Sequence, residues 1–134
     1  MGTVWHGSSS EKQVPSDLFA VNSAIINIRG MFASYTVTIN SDNSSTADLT
    51  NYSGRSPKYL EGNTLFNRTT HKNITNCSWF LANGTGTNGT IPEFWTWLTS
   101  LSSSNRTSPF YGVSKSKVTN EDSAPSEWLT GMTS

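Results

Sequence analysis

The stretch 35–40, Tyr-Thr-Val-Thr-Ile-Asn, has the clearest secondary-structure pattern in the chain. Its apolar and polar residues alternate strictly, which is the pattern of a strand with one buried face. Ser, Thr and Asn are abundant throughout the sequence, and their side chains compete with helices for backbone hydrogen bonds. The sequence therefore predicts a mainly β protein, a small single-domain sandwich-like fold with one or two short helices.

The helix signals are short. Ser16 has the residue type of an N-cap, and apolar residues recur after it at helical spacing as far as Ile28. The same segment is also rich in β-branched residues, so a helix that gives way to a strand fits equally well. Thr90 and Glu93 have the spacing of a capping box, which predicts a short helix up to Leu101. The remaining predictions are strand fragments over 79–81 and 110–113, a turn over 83–90, and one helical turn over 125–129 that packs Trp128.

The chain divides into three predicted parts. These are an extended N-terminal arm over 1–15, a β-rich domain over 16–119 and a C-terminal arm over 120–134. No internal repeat is apparent in the sequence. Large aromatic side chains in polar arms indicate docking, either on the domain's own core or on another chain. The predicted partner contacts are Trp5 and Trp128 in the arms and Trp97, which is expected to be more exposed than Phe94.

Charge and hydropathy narrow the classes of partner. Charged residues make up 13% of the 134-residue chain, and nine basic side chains balance nine acidic ones. A nucleic-acid-binding protein needs clustered Lys and Arg, and no such cluster is present. No run approaches the roughly 20 apolar residues of a membrane helix, and no signal peptide is visible. The expected partner is a protein or further copies of this chain in a homo-oligomer, without nucleic acid and without membrane insertion.

The sequence is rich in N-x-S/T sequons, the acceptor motif for N-glycosylation. About four are expected by chance from 13 Asn and a Ser/Thr content of 40 in 134 residues, and eight are present. If they are used, the middle of the chain is a glycan-shielded face in a secretory compartment; the alternative is that they are silent. Asn51, Asn67 and Asn83 are then expected on exposed loops. The eight predicted sites are Asn43, Asn51, Asn67, Asn73, Asn76, Asn83, Asn88 and Asn105.

No group of residues has the pattern of a catalytic or metal centre. The histidines, His6 and His71, lack nearby partner ligands, and Asp42 and Asp48 lack the alternation of a calcium loop. Cys77 is expected to be a small half-buried residue beside Trp79 rather than a nucleophile. Gly84, Gly86 and Gly89 spell G-x-G-x-x-G, but no acidic residue follows at the required distance, so they are interpreted as turn formers. The sequence predicts no enzyme activity, no cofactor and no metal.

Two function classes remain. The first is a non-enzymatic structural or recognition protein at the cell or virion surface, N-glycosylated and extracellular. The second is an unglycosylated, self-assembling subunit of a capsid, tail or filament. The sequon excess and the low charge favour the first, whereas the missing signal peptide favours the second.

Overall fold

A computed structural model describes residues 13–34, 36–42, 45–48 and 56–134 of the chain. Regular elements are short. In chain order they are β1 (Thr36–Ile39), β2 (Ser45–Asp48), β3 (Tyr59–Glu61), the single-turn helix α1 (Gly62–Leu65) and β4 (Asn88–Thr90), followed by 3-10 turns at Phe94–Thr96, Ser103–Asn105, Glu121–Ser123 and Ser126–Trp128.

The strands form two small sheets. β1 and β2 pair antiparallel with Thr36 opposite Asp48, so the strand predicted over 35–40 is confirmed at 36–39. β3 and β4 pair parallel with Leu60 opposite Gly89. A sandwich needs two facing sheets of several strands each, and the described sheets have two strands each; the sandwich therefore stays a prediction.

Three further segments of the backbone are stacked as rows, defined here as row 1 (26–34), row 2 (75–83) and row 3 (104–112). Within rows 1 and 2, alternate amides close tight turns, such as Met31 N–H to the Ile28 carbonyl at 3.1 Å. The amides between them donate to the next row, for example Phe32 to the Phe80 carbonyl at 2.9 Å and Leu81 to the Pro109 carbonyl at 2.8 Å. The rows thus satisfy their backbone polar groups without long strands.

Three asparagines stand at equivalent positions near the start of the rows. Asn27 and Asn76 each accept the amide hydrogen of the residue two places on, at 3.0 Å, and Asn76 Nδ2 donates to Asn105 Oδ1 at 3.5 Å. Such side-chain-to-backbone bonds stabilise turns. The sequence analysis found no repeat, and the structure shows one in the backbone, because unequal lengths of chain separate the rows.

Several local predictions are wrong. Residues 16–22 form successive turns, in which Leu18, Ala20 and Asn22 each donate to the carbonyl three residues back, and not a helix. The capping box does not form, because Thr90 lies in β4 and its hydroxyl donates to Asn63 at 2.7 Å. Only Phe94–Thr96 of the predicted 90–101 helix is helical. The predicted strands over 79–81 and 110–113 are turns within rows 2 and 3.

The core contains a cluster of aromatic rings, to which rows 2 and 3 contribute Phe80 and Phe110. Phe94 is fully buried, with ring centroids 5.4–6.4 Å from those of Phe66, Phe80, Phe110 and Trp128. Large buried rings compensate for the scarcity of aliphatic residues. The helical turn predicted to pack Trp128 is confirmed, since Ser126–Trp128 is a 3-10 turn and the Trp128 side chain is 5% exposed.

The C-terminal segment 120–134 packs on the domain. Thr133 N–H donates to the Val113 carbonyl at 2.9 Å, and Lys115 N–H donates back to the Thr133 carbonyl at 2.9 Å. Asn120 accepts the Ile91 amide hydrogen and donates to the Ile91 carbonyl, both at 2.9 Å. Of the two predicted arms, the N-terminal one lies outside the described residues except for its last three positions, where Val14 is buried.

Candidate functional site

A polar cleft separates row 3 from the C-terminal 3-10 turn. The cleft is shallow and widely open to solvent, and its volume is about 410 Å³. Row 3 and Ser103, which directly precedes it, supply hydroxyl groups and one cation, and the C-terminal segment supplies one carboxylate and one hydroxyl. The lining residues are Ser103, Ser104, Arg106, Thr107, Ser108, Glu127 and Thr130.

The row 3 wall of the cleft is fixed by row 2. Cys77 and Trp79 donate their amide hydrogens to the carbonyls of Asn105 and Thr107, both at 2.9 Å. The Ser78 hydroxyl donates to the Ser104 carbonyl at 3.1 Å and accepts the Thr107 amide hydrogen at 3.0 Å. Four hydrogen bonds over four residues hold this wall in place before any ligand arrives.

Arg106 is the cation of the cleft. Its guanidinium carbon lies 5.7 Å from the centroid of the Trp128 ring, a cation–π arrangement that fixes the side chain. Among the described residues, no acceptor forms a hydrogen bond or ion pair with this guanidinium, which carries five N–H donors. Arg106 is therefore oriented by the protein while its donors remain available to a ligand.

The hydroxyl groups divide into two sets. Thr107 Oγ1 donates to the Ser103 carbonyl at 3.1 Å, and Thr130 Oγ1 donates to the Glu127 carbonyl at 3.2 Å. The hydroxyls of Ser103 and Ser108 make no hydrogen bond within the described part of the chain. Because a hydroxyl both donates and accepts, the cleft offers mixed hydrogen bonding beside one positive and one negative side chain.

The predicted glycosylation sites fall into environments of very different accessibility. Asn67 and Asn73 are exposed. Asn76, Asn88 and Asn105 are half-buried, and Asn88 Nδ2 donates to the Gly86 carbonyl at 3.0 Å. Asn43 and Asn51 lie outside the described residues.

The expectation that Asn83 lies on an exposed loop is wrong. Its side chain is 7% exposed, and Nδ2, the atom that would carry a glycan, donates to the Ser34 carbonyl at 3.3 Å. The backbone of Asn83 has φ 60°, a conformation that Asn tolerates better than most residues. Asn83 ends row 2 and ties it to row 1.

Of the predicted partner residues, Trp97 and Trp128 both pack against Phe94, with ring centroids 5.7 and 6.4 Å from that of Phe94. Phe94 is buried and Trp97 is half-buried, as expected, and Trp97 Nε1 donates to the His71 carbonyl at 3.1 Å. Trp128 lies in the core and is not exposed to a partner; toward the surface, its ring holds Arg106 by the cation–π contact. Trp5 lies outside the described residues. A partner contact through Trp97 stays a prediction.

His71 is fully buried and has a structural environment. Nδ1 accepts the Asn67 amide hydrogen at 3.0 Å, so the proton of the neutral ring is on Nε2, which donates to the Phe19 carbonyl at 2.8 Å. The ring therefore joins the turn at Asn67 to the N-terminal segment. Within the described ranges, His, Cys, Asp and Glu form no group of three able to hold a metal.

Cys77 is fully buried and not half-buried as expected, and burial raises the pKa of its thiol to about 12, against the opposing effect of Arg106. Because the thiolate is the reactive form, we expect the native protein to resist a disulfide reagent at pH 8. Its labelling should be about 1000-fold slower than in guanidinium chloride, where the ordinary thiol pKa returns. Fast, stoichiometric labelling of the native chain would contradict this burial.

Arg106 and Glu127 were missed by sequence reasoning. They are separated along the chain, and Arg106 appears there only as the middle residue of the Asn105 sequon. Their proximity to one cleft follows from the stacking of row 3 and the return of the C-terminal segment.

Comparison with protein-family models, curated proteins and solved structures found no match to this chain. No helix in the described ranges has both the length and the apolar character needed to span a membrane.

Proposed function

We propose that this chain is a non-enzymatic recognition protein displayed on the extracellular or virion surface and N-glycosylated on the face that carries Asn67. The observation that carries the proposal is the environment of Asn67. Its side chain is exposed, and Oδ1 accepts the amide hydrogens of Thr69 and Thr70 at 3.0 and 2.8 Å. Nδ2 makes no hydrogen bond within the described part of the chain, which leaves the glycan-bearing atom accessible.

The turn that presents Asn67 is held by the core. The buried His71 ring accepts the Asn67 amide hydrogen, and the His71 amide donates to the Asn67 carbonyl at 2.9 Å. Asn73, also exposed, follows in the same surface region, with only a long 3.4 Å bond from Nδ2 to the Ser23 carbonyl. Two exposed sequons, one on the rigid turn at 67–71 and one just after it, support a shielded surface.

The glycoprotein proposal predicts an occupancy order. In the natural protein, peptide mapping after enzymatic glycan removal should find Asn67 the most fully occupied described site, then Asn73. Asn83 should be empty, because a glycan on Nδ2 would break the bond to Ser34 and prevent burial. The intact mass should exceed 14.6 kDa before treatment and fall to the bare-chain value after it.

Two outcomes would contradict this proposal. A natural mass equal to that of the bare chain would show that all sequons are silent. High occupancy at Asn83 would show that accessibility in this fold does not govern modification.

The second candidate function is an unglycosylated self-assembling subunit of a capsid, tail or filament. The observation that favours it is the segment 18–26, where Leu18, Val21 and Ile26 are 46%, 96% and 56% exposed. Apolar side chains exposed together in one segment are typical of contact surfaces. A concentration-dependent increase in mass by light scattering, abolished by V21D, would favour this function; a monomer at all concentrations would exclude it.

A further inference from the structure

Two asparagines of this chain, Asn83 and Asn88, are directly followed by glycine. Asn-Gly is the pair most prone to lose the side-chain amide. In that reaction the backbone nitrogen of the second residue attacks Cγ of the asparagine, the new N–Cγ bond closes a succinimide ring, and ammonia leaves. Water then opens the ring to aspartate or isoaspartate. Glycine favours the attack because it has no Cβ to hinder the approach.

The fold protects the first of these pairs. The Gly84 amide, which is the attacking group, donates to the Leu81 carbonyl at 3.0 Å. Asn83 Nδ2, which is the leaving group, donates to the Ser34 carbonyl at 3.3 Å, and both Asn83 and Gly84 are buried. Ring closure would break both hydrogen bonds, so the reaction requires local opening at the end of row 2.

The second pair is protected by the parallel strands. The Gly89 amide donates to the Lys117 carbonyl at 3.1 Å, and Asn88 Nδ2 donates to the Gly86 carbonyl at 3.0 Å. Moving the Gly89 nitrogen towards the side chain of Asn88 would break the bond to Lys117 and disturb β4. Both Asn-Gly pairs are therefore held in unreactive arrangements while the fold is intact.

Asparagine followed by serine is the next candidate, because the serine side chain is small. Three such asparagines are present, at positions 22, 40 and 43. Asn43 lies outside the described residues. Asn40 Nδ2 donates to the Thr46 hydroxyl at 3.0 Å, which ties the side chain to the opposite strand of the hairpin. Asn22 remains as the described Asn-Ser pair outside any strand or helix.

The reacting groups of the Asn22–Ser23 pair are accessible. Both residues are exposed, and neither Asn22 Nδ2 nor the Ser23 amide makes a hydrogen bond within the described part of the chain. The Ala24 amide donates to Asn22 Oδ1 at 3.3 Å. Negative charge develops on this oxygen when Cγ is attacked, so an N–H group beside it stabilises the transition state.

We propose that Asn22 is a site of spontaneous deamidation in the folded chain. The Ser23 nitrogen attacks Cγ, ammonia leaves, and water converts the succinimide to aspartate and isoaspartate, while Asn83 and Asn88 stay intact. The product places a carboxylate in the segment 18–26, which has no charged residue and in which Val21 is 96% exposed. If this segment is the contact surface of the self-assembling subunit described above, the new charge weakens association. Only this consequence rests on the self-assembly function.

The test compares the full-length chain, folded and in guanidinium chloride, during incubation in mildly alkaline buffer. Peptide mapping by mass spectrometry, with aspartate and isoaspartate separated by chromatography, gives the rate at each asparagine. Folding should slow Asn83 and Asn88 by about tenfold or more, because they react only in locally opened molecules, and should change the rate at Asn22 by less than about threefold. Asn83 and Asn88 should therefore react faster than Asn22 in the denatured chain and more slowly in the folded one.

Substitutions at Ser23 test the attacking residue. Ser23→Gly removes the Cβ and should accelerate conversion of Asn22 several-fold, whereas Ser23→Val adds a branched side chain and should slow it several-fold. Both variants should fold, because the Ser23 side chain is exposed. Ser126→Gly makes the same change at an exposed serine that follows proline, and should leave the rate at Asn22 unchanged.

Asn22→Asp, with Asn22→Ser as its uncharged control, tests the consequence by light scattering. The aspartate variant should associate more weakly than the parent chain, and the serine variant should associate normally. An unchanged Asn22 in the folded chain, or equal rates at Asn83 in the folded and denatured chains, would overturn the modification site. A parent chain that is monomeric at all concentrations would overturn the consequence for association and leave the modification site standing.

Discussion

Replacing Gly89 with alanine is expected to destabilise the fold by about 3 kcal/mol or more. Gly89 has φ 116°, which L-residues rarely adopt, and an added Cβ would collide with the backbone carbonyl of Leu60 on the paired strand β3. Backbone strain and overpacking each cost about 1–3 kcal/mol, and here both apply. The measurement is the free energy of unfolding from urea denaturation.

Gly89 is sensitive because it is bonded on both sides. Its amide donates to the Lys117 carbonyl at 3.1 Å, and its carbonyl accepts the Thr119 amide hydrogen at 3.0 Å, while β3 lies on its other edge. A shift that relieves the collision with Leu60 would therefore break bonds to the 117–119 segment. The neighbouring structure has little freedom to adjust.

Gly86→Ala is the matched control for Gly89→Ala. An added Cβ at Gly86 has nothing within 4 Å, although both glycines belong to the same G-x-G-x-x-G stretch. Its free energy of unfolding should change by less than about 0.5 kcal/mol. Equal losses in the two variants would show that the parallel β3–β4 pairing is not formed as described.

The sequence predicted those features that depend on local patterning. The alternation over 35–40 identified β1, and the spacing after Pro125 identified the turn that buries Trp128. In both cases one run of adjacent residues determines the element. Where a segment's conformation depends on contacts with distant residues, as at Thr90 and Glu93, the local pattern predicted a helix that the β3–β4 pairing replaces.

The stacked rows could not be predicted because their determining bonds are between distant segments. The amide of Ile28 bonds to Asn76, and that of Cys77 to Asn105, across intervening chain of different lengths. The one shared sequence signal is asparagine at 27, 76 and 105. Two of those residues begin sequons, so the local pattern predicts glycosylation there rather than turn formation. The cleft could not be predicted for the same reason, because row 3 and the C-terminal turn form it together.

Truncation of Phe94 to alanine is expected to cause the largest loss of stability from a single side chain, about 3–5 kcal/mol. Phe94 is fully buried. Its ring packs against five other aromatic rings, those of Phe66, Phe80, Trp97, Phe110 and Trp128. Removing it leaves a cavity among rigid rings that cannot collapse easily. Urea denaturation monitored by tryptophan fluorescence measures the loss.

Tyr59→Ala provides the comparison, because the Tyr59 side chain is 44% exposed and belongs to β3 at the surface. It should cost about 1 kcal/mol. Phe94→Leu should fall between the two, since it retains part of the buried volume. If Phe94→Ala were no more destabilising than Tyr59→Ala, the aromatic cluster would not be the core of this fold.

The expected loss also has a consequence for the cleft. Trp128 packs on Phe94 and holds Arg106. A folded Phe94→Leu protein should therefore show shifted NMR signals of Arg106 even where its loss of stability is small.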